Sequence, residues 1–498
     1  MILFLNKFYS KLLKNVSLFF LSSLFLLAAC KVGPRYKRPT IIDESWTWKN
    51  KEIQNTTNSL PDNSYNTIVD DKNDTKLQNQ WWQLFGDDSL NQLIENAFGN
   101  NPSLSVAAFR IMEARGMVEN ARSYYFPVLT LDPNISRQQL SGNRPSQFSN
   151  AKLPELRLTT ISVPLDMTYE LDVWGKFRRG VEASNANVRA SQADFQVIKL
   201  NLASDIASNY FMLRLTDNQI QIYTNALKLR QENLKLTNSQ YTAGLATKLD
   251  VLQAEIEMND VESDLIDIKR SRAVNENAIA VLCGIPVMNF KISTRTGLPK
   301  IPIVPLEVPS DLLQRRPDIV EAEQQLIYAN AQIGIADAAF LPSVKLTAAS
   351  AGFLSSRFDN LFQRQSQTWI GGVGVSIPIF TGGKNVAQKT VVEARLKEAQ
   401  STYKQVVLNA FQEVEDALVN IQYRGQQYSI QQKVLYSAHL SADMSKELYK
   451  KGLTTYINVI TADRAVLDAE NTNINITGQR LLYSISLIKA LGGGWDGK

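Results

Sequence analysis

The sequence predicts an α+β chain made of two similar halves, each with a pair of amphipathic strands and a pair of long coiled-coil helices in the same order. Three observations carry this. The run Tyr241-Thr-Ala-Gly244-Leu-Ala-Thr-Lys-Leu-Asp250-Val251 returns 208 residues later as Tyr449-Lys-Lys-Gly452-Leu-Thr-Thr-Tyr-Ile-Asn458-Val459. Apolar side chains recur every seventh residue through two stretches without proline. Between Ile161 and Val173 apolar and polar residues alternate strictly. A repeat this long points to one protomer with two related halves rather than a solenoid.

The chain begins with Lys7, Lys11 and Lys14 ahead of an apolar run, Val16 to Ala29, that ends Leu27-Ala28-Ala29-Cys30. A basic start, an apolar core and small residues before a cleavage point describe a secretory signal over residues 1–29. The cysteine that follows resembles a bacterial lipobox, so Cys30 is expected to be the first mature residue and to carry acyl chains on its thiol. Without residues 1–29 the formal charge falls from +5 to +2, and no basic cluster suggests nucleic acid. Cys283 is then the remaining thiol, on an apolar helical face beside Gly284, which reads as core. Residues 30–80, rich in Asn, Asp and Thr and broken by Pro34, Pro39 and Pro61, read as a lipid-anchored extended tether.

Residues 81–300 form the first repeat and 301–498 the second. Helical patterning starts at Asp88-Ser89, with Ser89 the expected N-cap, and restarts after Asn101-Pro102. Upstream the offset is 215, so Asn101-Pro102 answers Arg316-Pro317 and Tyr125-Phe126-Pro127 answers Phe340-Leu341-Pro342. The alternation from Ile161 to Val173 predicts a strand with one greasy and one wet face. Its second copy runs through Trp369, Gly371, Val373, Val375, Ile377 and Ile379, and partners precede each near Val128–Leu140 and Val344–Phe353. Four strands cannot close a barrel, for which about eight is the practical minimum, and a sheet edge is not tolerated in lipid. Other copies must complete it, and three would give twelve strands.

Ile206, Leu213, Ile220, Leu227, Leu234 and Tyr241 fall every seven residues, as do Val414, Ile421, Tyr428, Leu435, Ala442 and Tyr449. Such a repeat specifies left-handed coiled-coil packing. A helix from Lys176 to Tyr241 would be roughly 100 Å long at about 1.5 Å per residue. Gly244 and Gly452 mark its hairpin turns, and the returning helices are expected over Thr247–Cys283 and Thr455–Leu491.

Several ordered marks now resemble one family. They are Cys30-Lys-Val-Gly-Pro-Arg-Tyr-Lys-Arg-Pro39, Trp81-Trp82-Gln-Leu-Phe-Gly-Asp-Asp88, Asn101-Pro102, Asp311-Leu-Leu-Gln-Arg315-Arg316-Pro317-Asp318-Ile319, Glu321-Ala322-Glu323, Ala329-Asn330-Ala331, Ile333-Gly334 and Phe340-Leu-Pro342. Together they resemble the TolC/OprM-type outer-membrane efflux family, in its lipoprotein branch, across essentially the whole mature chain. The resemblance implies a homotrimer with a twelve-stranded barrel in outer-membrane lipid and a twelve-helix periplasmic tunnel. It also implies docking to a periplasmic adaptor and an inner-membrane pump of the RND type. Lys31 after Cys30, in place of the aspartate associated with inner-membrane retention, favours outer-membrane sorting.

No enzyme, cofactor or metal site is expected. His439 stands alone among Ala438, Leu440 and Ser441 as a surface or packing residue. Gly371-Gly372-Val-Gly374 lies inside a strand, where small residues permit close packing or a bulge. Asp87-Asp88 and Asp70-Asp71 read as cap and tether residues. By the resemblance, the periplasmic aperture is formed by Tyr241 and Asp250 on the first tip and by Tyr449, Thr454, Asn458 and Thr461 on the second. TolC carries an arginine and two aspartates on that second tip, so weaker cation binding is expected at this mouth. The alternative for Asp250 is an N-cap of the returning helix. Two other functions stand beside an efflux duct: a type I secretion duct for polypeptides, and a structural periplasm-spanning coiled-coil lipoprotein without a pore.

Overall fold

The computed structural model describes residues 31–41, 69–70, 79–144, 154–302, 304–305 and 315–495. The signal segment, Cys30, most of the tether and Asp311–Gln314 lie outside them. A 3-10 turn at Trp81–Phe85 leads into α1 (Asp88–Asn100) and α2 (Pro102–Ser123). Then come β1 (Val128–Leu131), β2 (Asn134–Leu140), β3 (Leu156–Leu171), α3 (Lys176–Thr242) and α4 (Lys248–Leu282). The second half supplies α5 (Pro317–Ala338), β4 (Ser343–Ser355), β5 (Gln367–Ser376), α6 (Lys384–Lys450) and α7 (Tyr456–Ala490). The long helices match residue for residue at the 208 offset, 67 residues in α3 and α6 and 35 in α4 and α7.

Two compact units divide the chain, and each draws on both repeats. The first unit takes Met1–Arg38, Ile111–Arg189 and Glu323–Ser401 and contains the sheet. Strand order is β1/β2, β3, β4, β5, all antiparallel. The first expected strand is split, yet its register does not slip: Leu131 opposes Leu165 and Asn134 opposes Ser162. The gap falls at Pro133, which has no N–H to give to the ladder. The last strand ends at Ser376, so Ile377 and Ile379 lie beyond it, because Pro378 cannot extend the ladder.

A bulge does occur, but not at the glycine cluster. Gly371, Gly372 and Gly374 pair in register with Ala348, Thr347 and Lys345. The extra residue sits on β4, where Ser350 adopts φ +52° and donates its N–H to Asp166 Oδ1 at 2.7 Å. Two residues on, a Cβ at Gly352 would stand 2.0 Å from the Val163 carbonyl oxygen, so only glycine fits there.

Register defines the two faces. Leu129 opposes Met167, Leu131 opposes Leu165, Val163 opposes Phe353, and Leu346 opposes both Tyr169 and Val373. The other face carries Thr130 with Asp166, Thr168 with Thr347, and Glu170 with Lys345. The greasy side is most exposed on the outer strands, with Leu129 60%, Val373 68% and Trp369 79% exposed. β1/β2 and β5 each pair on one side only among the described residues.

Beside the sheet, an N-terminal strap explains why separate sequence marks travel together. Val32 donates its N–H to the Trp174 carbonyl at 3.0 Å, and Arg179 donates to the carbonyls of Val32, Gly33 and Pro34 at 2.8–3.0 Å. Asn330 donates to Pro34 O at 3.0 Å, and Tyr36 and Arg38 both bind Glu323. A Cβ on Gly33, at φ +93°, would lie 2.5 Å from Gly334 Cα. Both glycines are needed for that crossing.

The second unit takes Pro39–Arg110, Ala190–Ala322 and Thr402–Lys498. Its core joins Trp81, Trp82 and Phe85 to Ile206, Phe211, Leu213, Cys283, Val414, Ile421 and Leu491. Asp87, not Ser89, caps α1: its Oδ1 accepts from the N–H groups of Ser89 and Leu90 at 3.0 and 3.3 Å. Ser89 is already the second helical residue. Asn101 caps α2 by accepting from Leu104 N–H at 3.1 Å, with Pro102 at the first helical position.

Candidate functional site

The functional candidates lie where the two hairpins of the second unit turn. Each long helix ends in a Schellman motif. Gly244 (φ +74°) donates to Tyr241 O at 3.0 Å and Leu245 to Gln240 O at 2.8 Å. Gly452 (φ +70°) donates to Tyr449 O and Leu453 to Leu448 O, both at 2.9 Å. A side chain at either glycine would be strained by its positive φ alone.

The returning helices start differently. Thr247 caps α4, and Asp250 completes a capping box, its Oδ2 accepting from Thr247 N–H at 2.8 Å and Thr247 Oγ1 at 2.7 Å. Asp250 is thus the third residue of the first turn rather than the N-cap. Its carboxyl group lies in the first turn, the end of the helix dipole that favours an acidic residue. At the same place in the second hairpin stands Asn458, which donates Nδ2 to Thr454 Oγ1 at 2.7 Å. Thr455 caps α7 without a side-chain hydrogen bond. The second tip therefore lacks the box that secures the first.

Tyr241 is half-exposed, with the Lys248 ammonium 5.9 Å above its ring. Thr461 Oγ1 donates to its own helix at Ile457 O, 2.9 Å away. Tyr449 reaches across: its hydroxyl donates to Gln240 Oε1 at 3.1 Å, tying α6 to α3. Its ring lies 5.5 Å from that of Tyr456. Burial pushes its phenol above the usual range, and the charge of Asp250 adds to the shift. The structure thus brings Tyr449 and Asp250 into one electrostatic neighbourhood.

About three turns above the tips lies a cluster that no motif in the sequence marks. Arg230 of α3 donates Nη1 to Asp463 Oδ2 of α7 at 2.8 Å, and Lys446 of α6 lies 2.9 Å from Asp463 Oδ1. Glu257 of α4 stands 3.8 Å from Arg230 and also pairs with Arg464. The Arg230, Glu257 and Asp463 side chains are each at most 7% exposed. All four helices meet in this ionic collar. A signal existed: Arg230 lies three residues after Leu227, on the second seam position of the seven-residue repeat, where a charge must find a buried partner. Farther from the tips α3 and α7 also meet through polar side chains, with Gln219 of α3 donating to Asn471 and Asn475 of α7 at 2.9 and 3.2 Å.

An open four-stranded sheet with one greasy face, and in the same chain two long helical hairpins with glycine turns at their tips, define a chain of the outer-membrane channel class. The chain belongs to the outer membrane efflux protein family, whose model matches residues 93–285 and 308–493, one stretch in each half. It is similar to the cation efflux system protein CusC of Escherichia coli O6:H1, with 30% identity over 94% of this chain and 97% of that one. It is 29% identical to the probable outer membrane lipoprotein SilC of Salmonella typhimurium, over 97% of this chain and 99% of that one. Its structure matches that of the outer-membrane channel OprN with a TM-score of 0.84 at 26% identity, over 94% of this chain and all of that one.

Proposed function

We propose that this efflux protein is the exit duct of a tripartite pump, a homotrimer that passes small molecules passively across the outer membrane. The observation that carries the reading is the sheet: apolar on one face, with both outer strands unpaired on one side among the described residues. Exposed backbone edges cost several kcal/mol per unpaired group in lipid, so closure by further copies is the stable solution. Three copies supply twelve strands, and an acylated Cys30 adds a second hold on the membrane. The chain performs no catalysis; energy comes from an inner-membrane RND-type pump reached through a periplasmic adaptor. The cargo is drugs or other small molecules delivered by that pump.

At rest the tips are held together by the Tyr449–Gln240 bond and the collar above it, with Tyr241, Asp250, Thr454, Asn458 and Thr461 lining the mouth. An adaptor opens them by binding the open arrangement better, and by no more than that difference. Single-channel current in a planar bilayer tests the reading. A small stable current from the wild-type protein should grow when Tyr449→Phe is combined with Asp250→Ala. No current from either form, with insertion confirmed by protease protection, overturns the conduit.

A further inference from the structure

The offset of 208 also maps one buried polar cluster onto another, and the two copies are unlike. In the first hairpin Asp217, its side chain 1% exposed, accepts from Arg214 Nη1 at 3.0 Å and Arg272 Nε at 2.6 Å. Glu276 lies 3.3 Å from Arg272, and the carbonyls of Ser293 and Ile292 take a further N–H from Arg214 and Arg272, each at 2.8 Å. Two guanidinium groups meet two carboxylates. In the second hairpin the corresponding positions hold Gln422 for Arg214, Gly425 for Asp217, Arg480 for Arg272 and Ser484 for Glu276. One cation survives and both acids are gone.

Arg480 is 7% exposed, and its Nε has no hydrogen-bond acceptor. No carboxylate among the described residues pairs with it. Its guanidinium carbon lies 4.6 Å from the Tyr428 ring. Gln422, 3% exposed, has a side-chain carbonyl with no donor, and the Ser484 hydroxyl is spent on the Arg480 carbonyl at 3.0 Å. Burial pulls the Arg480 pKa down, with Tyr428 opposing. Arginine nonetheless stays charged in proteins, and a tyrosine face offsets only part of the cost of an unpaired buried charge.

We propose that Arg480 is the centre of an anion site in the second hairpin, filled from solvent by a halide that does there what Asp217 does in the first. A halide suits a guanidinium left with so little exposure. The site is independent of the conduit reading, since it concerns the stability of one hairpin.

The test is thermal unfolding of the full chain in sodium chloride or bromide against sodium gluconate at equal ionic strength. Above saturation, each tenfold rise in halide should multiply the folding constant by about ten per site. Gly425→Asp supplies the missing carboxylate and should abolish the halide dependence; Ser484→Glu should do so from the neighbouring position. Crystals soaked in bromide should show anomalous density beside Arg480 in the wild-type protein and none in Gly425→Asp. Equal unfolding in halide and gluconate overturns the proposal. So does a carboxylate of another copy seated on the guanidinium.

Discussion

Asp463→Asn is the sharpest perturbation of the collar. The change keeps the shape of the side chain and removes the charge that faces Arg230 at 2.8 Å and Lys446 at 2.9 Å. Arg230, 5% exposed, is left with Glu257 at 3.8 Å, which Arg464 already engages. Removing one partner of a buried pair costs about 3–5 kcal/mol. If opening separates α3 from α7, about 3 kcal/mol of that falls on the closed state, and the closed-to-open ratio drops roughly 150-fold at about 1.4 kcal/mol per decade. The assay is open probability of single channels, read alongside thermal unfolding of the same preparation. Arg230→Gln should act alike, and the double variant should differ little from either single one, because both remove one shared interaction. A lowered melting temperature with a wild-type resting current in all three would refute the argument. The collar would then hold the fold and not the gate.

Three further measurements test other parts of the molecule. Thr247→Ala should cost about 0.5–2 kcal/mol by opening the capping box, seen as faster amide exchange in the first turn of α4, while Thr455→Ala should change little. Burial, and then the charges of Asp194 and Asp318, push the Glu321 carboxyl up to about 7. The folded chain then holds a proton that the unfolded chain releases, so stability falls as pH rises from about 4.5 to about 7 and is level above. Glu321→Gln should flatten that slope in a melting series from pH 4 to 8. On the sheet, Val373→Arg should weaken barrel formation by about 2–4 kcal/mol if its face meets lipid near mid-depth, while Gly372→Arg on the wet face should be far milder in refolding titrations into bilayers. Equal effects would contradict the assignment of the faces.

Much of this fold is written in periodicity. The seven-residue spacing gave both long helices, and Gly244 and Gly452 gave their turns, because only glycine enters the left-handed region freely. Strand alternation gave the greasy face directly. What escaped depends on partners far along the chain. Nothing local distinguishes Asp87 from Ser89 as a cap, since both residue types serve. The bulge at Ser350 needs Asp166, 184 residues earlier, to take its N–H. The strap is the instructive case: Lys31–Arg38 and Ala329–Gly334 were visible as separate marks, and only the crossing of Gly33 over Gly334 shows them to be two halves of one clamp. At the tips, the capping box was half legible, as a carboxylate near a helix start. The collar was legible in principle, as a charge on the second position of a seam whose first position is apolar.

That clamp has a consequence for depth. Val32 is fixed to the Trp174 carbonyl, where β3 gives way to α3. Residue 30 is two peptide units away, a reach of about 7 Å at full extension. On the proposed acylation of Cys30, an acyl group there would have no more leash than that reach from Val32. Such an anchor works as a depth gauge, setting how far the sheet rises into the leaflet. Each residue inserted between Cys30 and Val32 would pay out about 3.5 Å of line.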